Sequence, residues 1–180
     1  MIILVGPSAS GKTEVCKLLC KKYGYKKFVT TTTRDKRVGE IDGIDYNFVS
    51  ITDFKNLLKN NSLIEYTQYN NNFYGTEKKN IHLNTVLIVD PNGLKSFQQL
   101  NDPSIVSFLL TCDENSRINR MKERKDPIEK INERIKIDKI NFSEEKTESA
   151  NYIISTSNKT IEEITNIVNN LYKDKINHQN

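Results

Sequence analysis

Short, unbroken apolar runs alternate along the chain with longer stretches in which apolar residues return every three or four positions. That is the pattern of buried strands alternating with amphipathic helices. The runs Ile2-Ile3-Leu4-Val5, Val86-Leu87-Ile88-Val89 and Ile105 to Leu110 have the length and β-branching of strands covered on both faces, and Ile153-Ile154 reads as a last, shorter one. Between them, Thr13 to Tyr23 predicts a helix closed by Gly24, and Leu94 to Leu100 a second. Asp113 caps a helix carrying Arg117, Arg120 and Arg124, and Asp126-Pro127 with Glu129 restarts one running to about Lys146. A final helix from about Thr160 to Lys173 turns Ile161, Ile164, Val168 and Leu171 inward, ahead of a tail that frays. Strands alternating with helices define an α/β fold, a parallel sheet flanked by helices.

Residues 30–76 depart from that rhythm. A short strand around Phe28 and Val29 leads into Thr30-Thr31-Thr32-Thr33-Arg34 and a polar loop too charged for a core. Asp45 to Val49 alternates as a strand does, and Ser50 with Asp53 caps a helix to about Lys59. Leu63 to Tyr69 and Phe73-Tyr74 read as a hairpin around Asn70-Asn71-Asn72, ending at Gly75, and a short helix follows from about Glu77 to His82. The expected organisation is one domain, with a core of 1–29, 77–112 and 150–175, a β-rich insertion at 30–76 and a helical lid at about 113–149.

The first strand runs into Gly6-Pro7-Ser8-Ala9-Ser10-Gly11-Lys12-Thr13, which satisfies G-x4-G-K-[ST]. A stretch of such small residues can be a plain tight turn; the strand before it and Lys12-Thr13 after it mark a phosphate-binding loop. Curled around Gly6, Ser8, Ala9, Ser10 and Gly11, the backbone turns successive N–H groups into one cavity, to which the following helix adds its positive end. Lys12 then reaches the β- and γ-phosphates of ATP, and the Thr13 hydroxyl sits on the Mg2+ that bridges them.

Composition narrows the setting. With 180 residues the chain has room for one well-packed domain, and a mean hydropathy of -0.61 with regular apolar runs excludes wholesale disorder. The 27 basic and 23 acidic residues give a net charge of +4, which suits an anionic ligand and does not call for nucleic acid. Three cysteines without a secretory signal point to a reducing, cytoplasmic setting, with Cys16 and Cys20 on one helix face as core residues rather than metal ligands. No stretch reaches the roughly 18 apolar residues of a membrane span, and the state expected is a monomer or homodimer. Arg34 and Arg37, three apart and flanked by hydroxyl residues, form a second candidate phosphate clamp.

Taken together, GPSASGKT, TTTRDKRVGEIDGIDYNFVS, IEY followed by FYGT, and VDPNG resemble the guanylate kinases in order and spacing. The resemblance is specific through about Gly93 and rests on arginine placement beyond it. It implies a P-loop sheet, an inserted GMP-binding subdomain and a helical lid, with the γ-phosphoryl of ATP passing to GMP, or dGMP, in the presence of Mg2+. Arg34, Arg37, Tyr46 and Tyr74 are implied to hold the GMP phosphate, with Glu40 orienting the arginines. Glu65 is implied to read guanine, helped by Thr30, Thr76 and Asp90. One carboxylate can accept from both N1–H and N2–H2; adenine lacks that pair of donors and would leave Glu65 unpaired, at a penalty of about 1–3 kcal/mol. Arg120, Arg124 and Arg134 resemble lid arginines that join Lys12 and Arg34 in catalysis, and the Asn158 neighbourhood resembles an adenine-contacting loop. Alternatives are a non-catalytic module of the same fold that binds phosphorylated or acidic peptides, and a related kinase with another phosphorylated acceptor. Three departures stand out: Ile88 replaces the first aspartate of the family's D-x-D-x-x-G, Lys36 replaces its proline, and the stretch from Gly75 to Val86 is short.

Overall fold

The computed structural model describes residues 1–36, 40–69, 72–78, 81–143 and 149–178. In chain order the first half holds β1 (Ile2–Val5), α1 (Lys12–Tyr23), β2 (Lys26–Lys27), β3 (Thr31–Thr32), β4 (Asn47–Phe48), α2 (Ile51–Lys59), β5 (Leu63–Tyr69) and β6 (Asn72–Glu77). The second half holds β7 (Thr85–Ile88), α3 (Pro91–Gln98), β8 (Val106–Thr111), α4 (Glu114–Glu123), α5 (Ile128–Asn141), β9 (Tyr152–Ser155) and α6 (Ile161–Asn177). They form two compact units, Met1–Lys27 with Leu83–Asn180, and Phe28–His82.

In the first unit the apolar runs pair side by side as a parallel five-stranded sheet in the order β2-β7-β1-β8-β9. Strand β1 is central, and all four of its residues are fully buried, as continuous apolar character requires of a strand covered on both faces. On one face Leu4 and Phe108 meet Val15 and Leu19 of α1 and Ile164 and Val168 of α6; each side chain so buried contributes about 1.5–3 kcal/mol. Cys16 belongs to that cluster with Cys20 packed against it, and burial pushes the Cys16 thiol up to about 12, which suits a core thiol. Helix α3 packs against β1. The phosphate loop therefore leaves the C-terminal end of the central strand, where open α/β sheets place their ligands.

The second unit is built on a four-stranded sheet, β4-β3-β6-β5, in which only β3 and β4 run parallel. Ser50 caps α2 by accepting from the Asp53 N–H, and Phe54 of that helix is fully buried and stacks on Phe73 at 5.3 Å. Gly75 is required by that packing: a Cβ there would lie 2.9 Å from the Phe54 ring and 3.0 Å from Leu63.

Several elements differ from the sequence reading. The edge strand falls on Lys26–Lys27 rather than Phe28-Val29, because Phe28 turns into a core while the two lysines stay exposed. Thr31–Thr32, given no element of its own in the sequence reading, is a strand bonded on both sides. Strand β6 continues to Glu77, paired across a bulge with Leu63, so the helix expected from Glu77 does not begin there; 79–80 lie outside the described residues and Ile81 to Asn84 are not helical. Asp90-Pro91 opens α3 with Asp90 as cap, earlier than expected. Helix α5 ends at Asn141 and not near Lys146, since Phe142 leaves the helical region; residues 144–148 lie outside the description. Helix α6 runs on to Asn177, started by a reciprocal capping box between Thr160 and Glu163.

Candidate active site

The phosphate loop adopts backbone conformations that explain its composition. Gly6 has φ 153°, and a Cβ there would meet the Leu110 carbonyl oxygen at 2.3 Å, so the close approach to β8 excludes any side chain. Ala9 sits in the left-handed region at φ 60°, uncommon for a residue with a Cβ, and Arg120 Nη1 holds it by donating to the Ala9 carbonyl at 3.1 Å. Lys12, the first residue of α1, folds back so that Nζ donates to Gly6 O at 2.6 Å and Pro7 O at 2.8 Å. Burial pulls its ammonium down to about 8, partly offset by the nearby Asp138 carboxylate. Ser10 is fully buried and its hydroxyl has no hydrogen-bond partner among the described residues. The loop thus carries a partly buried cation at the start of a helix, the electrostatics of an anion site.

Beside it lies a cavity of about 510 Å3, lined by Gly11, Lys12 and Thr13 of the loop and α1, Arg120 of α4 and Arg124 just past its end, and Lys159 to Ile161 past β9. Arg120 spans the structures around it, donating also to Thr156 O at 3.1 Å. Arg124 and Arg134 both pair with Asp126, at 3.1 and 2.8 Å, and stay about half exposed. Asp126 therefore holds arginines, and Pro127, without a side-chain cap, begins α5. Asn158, just before the cavity wall, has φ 59°, a conformation asparagine tolerates well.

Two residues of this region carry no signal obvious in sequence. Arg117 and Asp138 form a buried pair at 2.6 Å, and Asp138 also accepts from the Ser8 N–H at 2.9 Å. The clue available was periodicity: Ile131, Ile135 and Asp138 occupy one helical stripe, and a carboxylate in such a stripe needs donors opposite it.

In the second unit, alternation along β6 puts Tyr74 and Thr76 on one face and Phe73 and Gly75 on the other. Glu65 of β5 lies opposite Thr76, whose hydroxyl donates to Glu65 Oε1 at 2.5 Å. Arg34, just past β3, donates from Nη2 to Glu40 Oε1 at 2.7 Å, and its guanidinium lies 5.5 Å from the Tyr46 ring and 5.6 Å from that of Phe48. Glu40, foremost, holds the guanidinium above its ordinary range, with Tyr74 adding to the effect. The rings of Tyr46 and Tyr74 meet edge to face at 6.1 Å. Arg34, Glu40, Tyr46 and Tyr74 are thus gathered, and Glu65 with Thr76 forms a second group. Thr30 is half-buried and its carbonyl accepts from the Asn47 N–H. Arg37 lies outside the described residues. Asp90 belongs to the first unit, exposed, with Oδ1 occupied by the Gly93 N–H at 2.7 Å.

A parallel sheet with a phosphate loop at the end of its central strand defines an α/β nucleotide-binding protein of the P-loop class. The guanylate kinase family model matches residues 1–175, and the chain belongs to that family. It is 29% identical to the guanylate kinase of Clostridioides difficile over 198 aligned positions, covering 98% of this chain and 97% of that one. Identity to the guanylate kinase of Clostridium tetani is 32% over 130 positions, which cover 69% of this chain and 62% of its relative. In three dimensions the chain is similar to the crystal structure of guanylate kinase from Anaplasma phagocytophilum, with a TM-score of 0.70 and 26% identity over 97% of this chain and 85% of that one. Among the described residues no helix is long and apolar enough to cross a membrane.

Proposed function

We propose that this chain transfers the γ-phosphoryl group of ATP to GMP, and to dGMP, giving ADP and GDP. The observation that carries the reading is a half-buried Lys12, folded back onto Gly6 and Pro7 in a complete phosphate loop, in a chain that also gathers Arg34, Tyr46 and Tyr74 beside a Glu65–Thr76 pair. A peptide-binding module of the same fold would have no use for that lysine.

The donor triphosphate takes the loop amides, and Lys12 exchanges its two backbone carbonyls for phosphate oxygens. Arg120 is already fixed at the cavity wall, whereas Arg124 and Arg134 exchange Asp126 for developing charge on the transferred group. The acceptor phosphate lies against Arg34, steadied by Glu40, with the hydroxyls of Tyr46 and Tyr74 donating and Arg37 expected to complete the clamp. Guanine N1–H and N2–H2 reach Glu65, whose orientation Thr76 already sets. A GMP phosphate oxygen attacks the γ-phosphorus in line, the bond to the β–γ bridging oxygen breaks, and ADP leaves with its electron pair. No covalent enzyme intermediate is required, because the nucleophile is already anionic and catalysis is alignment with charge neutralisation.

Members of this family generally use ATP with Mg2+, and the residues present fit that ion. Among the described residues there is no cluster of three or more His, Cys, Asp or Glu, and Ile88 packs against the main core. The cavity lining offers the Thr13 hydroxyl, with Glu14 and Glu123 also on its wall, and a single hydroxyl ligand would suit a cation that keeps its waters and takes most other ligands from phosphate. Bound there, such an ion would supply charge neutralisation on the triphosphate.

The test is ADP formation from ATP and Mg2+ with and without GMP, for wild type and Lys12→Ala. Strong dependence on GMP that Lys12→Ala abolishes supports the reading; a rate indifferent to GMP overturns it.

A further inference from the structure

Helix α5 turns Ile131, Ile135 and Asp138 inward, so a carboxylate stands where a third apolar residue would complete the stripe. The Asp138 side chain is 8% exposed and that of Arg117 on α4 is 7% exposed. A charge removed from water to that degree requires partners. Arg117 Nη1 donates to Asp138 Oδ2 at 2.6 Å, the Ser8 N–H donates to the same oxygen at 2.9 Å, and the Ser8 hydroxyl approaches Oδ1 at 3.3 Å. Arg117 Nη1 also reaches the Ser8 carbonyl at 3.5 Å. An arginine–aspartate pair alone would only tie α4 to α5. Here the carboxylate also takes a backbone amide of the phosphate loop, so the pair joins both helices to the segment that binds phosphate.

Asp138 lies one helical turn beyond Arg134, and Ser8 lies four residues before Lys12, so the contact spans the two cations that meet the transferred group in the proposed reaction. We propose that Asp138, backed by Arg117, is a positioning residue: its carboxylate fastens the phosphate loop at Ser8 to helix α5 and fixes the loop bearing Lys12 relative to the helix bearing Arg134. This rests on the phosphoryl-transfer reading above. Loosening the contact displaces one catalytic cation from the other without touching the acceptor site, and a displacement near 1 Å costs on the order of 100-fold in rate. The loss therefore belongs in kcat and not in the KM for GMP.

Asp138→Ala strands a buried guanidinium and can unfold the protein for that reason alone. Two double variants avoid this. Arg117→Met with Asp138→Leu removes both charges and keeps apolar volume, while Arg117→Gln with Asp138→Asn keeps a neutral acceptor for the Ser8 N–H. The Met/Leu protein is expected to melt at or above wild type, with kcat lowered about 10- to 100-fold and the KM for GMP within about twofold. The Gln/Asn protein is expected to recover most of that loss. A Met/Leu protein with wild-type kcat, or a Gln/Asn protein no faster than Met/Leu, overturns the proposal. If wild type itself fails to phosphorylate GMP, the kinase reading falls, and the clamp is judged on the nucleotide-free protein by the Ser8 amide proton resonance. That resonance must move in the Met/Leu protein and stay close to wild type in Gln/Asn; a resonance unmoved in Met/Leu refutes the contact.

Discussion

Replacing Lys12 with methionine keeps the reach of the side chain and removes its charge, which separates what the lysine does for the fold from what it does for phosphate. Burial lowers the Lys12 ammonium from its ordinary 10.5 to about 8, and at roughly 1.4 kcal/mol per pH unit this corresponds to about 3 kcal/mol of unfavourable charge burial below pH 8. The two backbone carbonyl bonds at 2.6 and 2.8 Å are lost in the variant, and each is worth about 1 kcal/mol net. The nucleotide-free Lys12→Met protein is therefore expected to be more stable than wild type near pH 7, by about 1 kcal/mol. The sign of the pH dependence follows from proton counts. Between pH 8 and 10.5 the unfolded chain still holds the lysine proton that the folded protein has released, so wild type gains stability with rising pH and the variant lacks that gain. Urea unfolding of both proteins without nucleotide, near pH 7 and again near pH 10, reads the difference directly. ATP should stabilise wild type and fail to stabilise the variant. A variant less stable than wild type near pH 7, or a gap that does not move toward wild type as pH rises, would refute the argument that this ammonium is held ready for phosphate.

Gly6→Ala should cost about 1–3 kcal/mol by overpacking, because its Cβ would fall 2.3 Å from the Leu110 carbonyl oxygen; thermal unfolding checks it, and an unchanged midpoint would mean the loop can step away from β8. Glu65→Gln keeps an acceptor for Thr76 yet presents a donor to guanine, so kcat/KM for GMP should fall about 10- to 100-fold; steady-state kinetics with an unchanged ratio of GMP to AMP would remove Glu65 from base recognition. Thr160→Ala deletes the capping box of α6 and should lower stability by about 1 kcal/mol, measured by urea unfolding; no change would show that Glu163 or water suffices at that helix end.

The parallel sheet was legible because strands buried on both faces are largely apolar: β1 is wholly so, and β7 and β8 are apolar but for Thr85, Ser107 and Thr111. Where burial is one-sided or polar, legibility fails. The strand Thr31–Thr32 hides among four threonines whose hydroxyls also suit a loop, and Thr31 is buried because it donates to Glu77 across the sheet at 2.7 Å. Phe28 drew the edge strand toward itself through its β-propensity, although edge strands are often charged, as Lys26–Lys27 are. At the site, motif spacing located the phosphate loop, which lies within contiguous sequence, while the grouping of Arg34, Glu40, Tyr46 and Tyr74 was implied by the resemblance. The Ser8–Asp138 contact joins residues 130 apart, and nothing local in either segment points to the other. Asp90 shows how one residue can carry two meanings: the resemblance implied a guanine contact, whereas Asp90-Pro91 is a helix-start signal that the expected helix from Leu94 passed over and the structure uses.

The acceptor proposed for this chain is a guanine nucleoside monophosphate. Wild-type protein incubated with ATP and Mg2+ and, in turn, GMP, dGMP, AMP and UMP, with nucleoside diphosphates resolved by chromatography, tests it most directly. GDP and dGDP should form in step with ADP, with AMP and UMP at least about 100-fold poorer in kcat/KM. Equal phosphorylation of AMP, or ADP released at the same rate with no acceptor present, would contradict it.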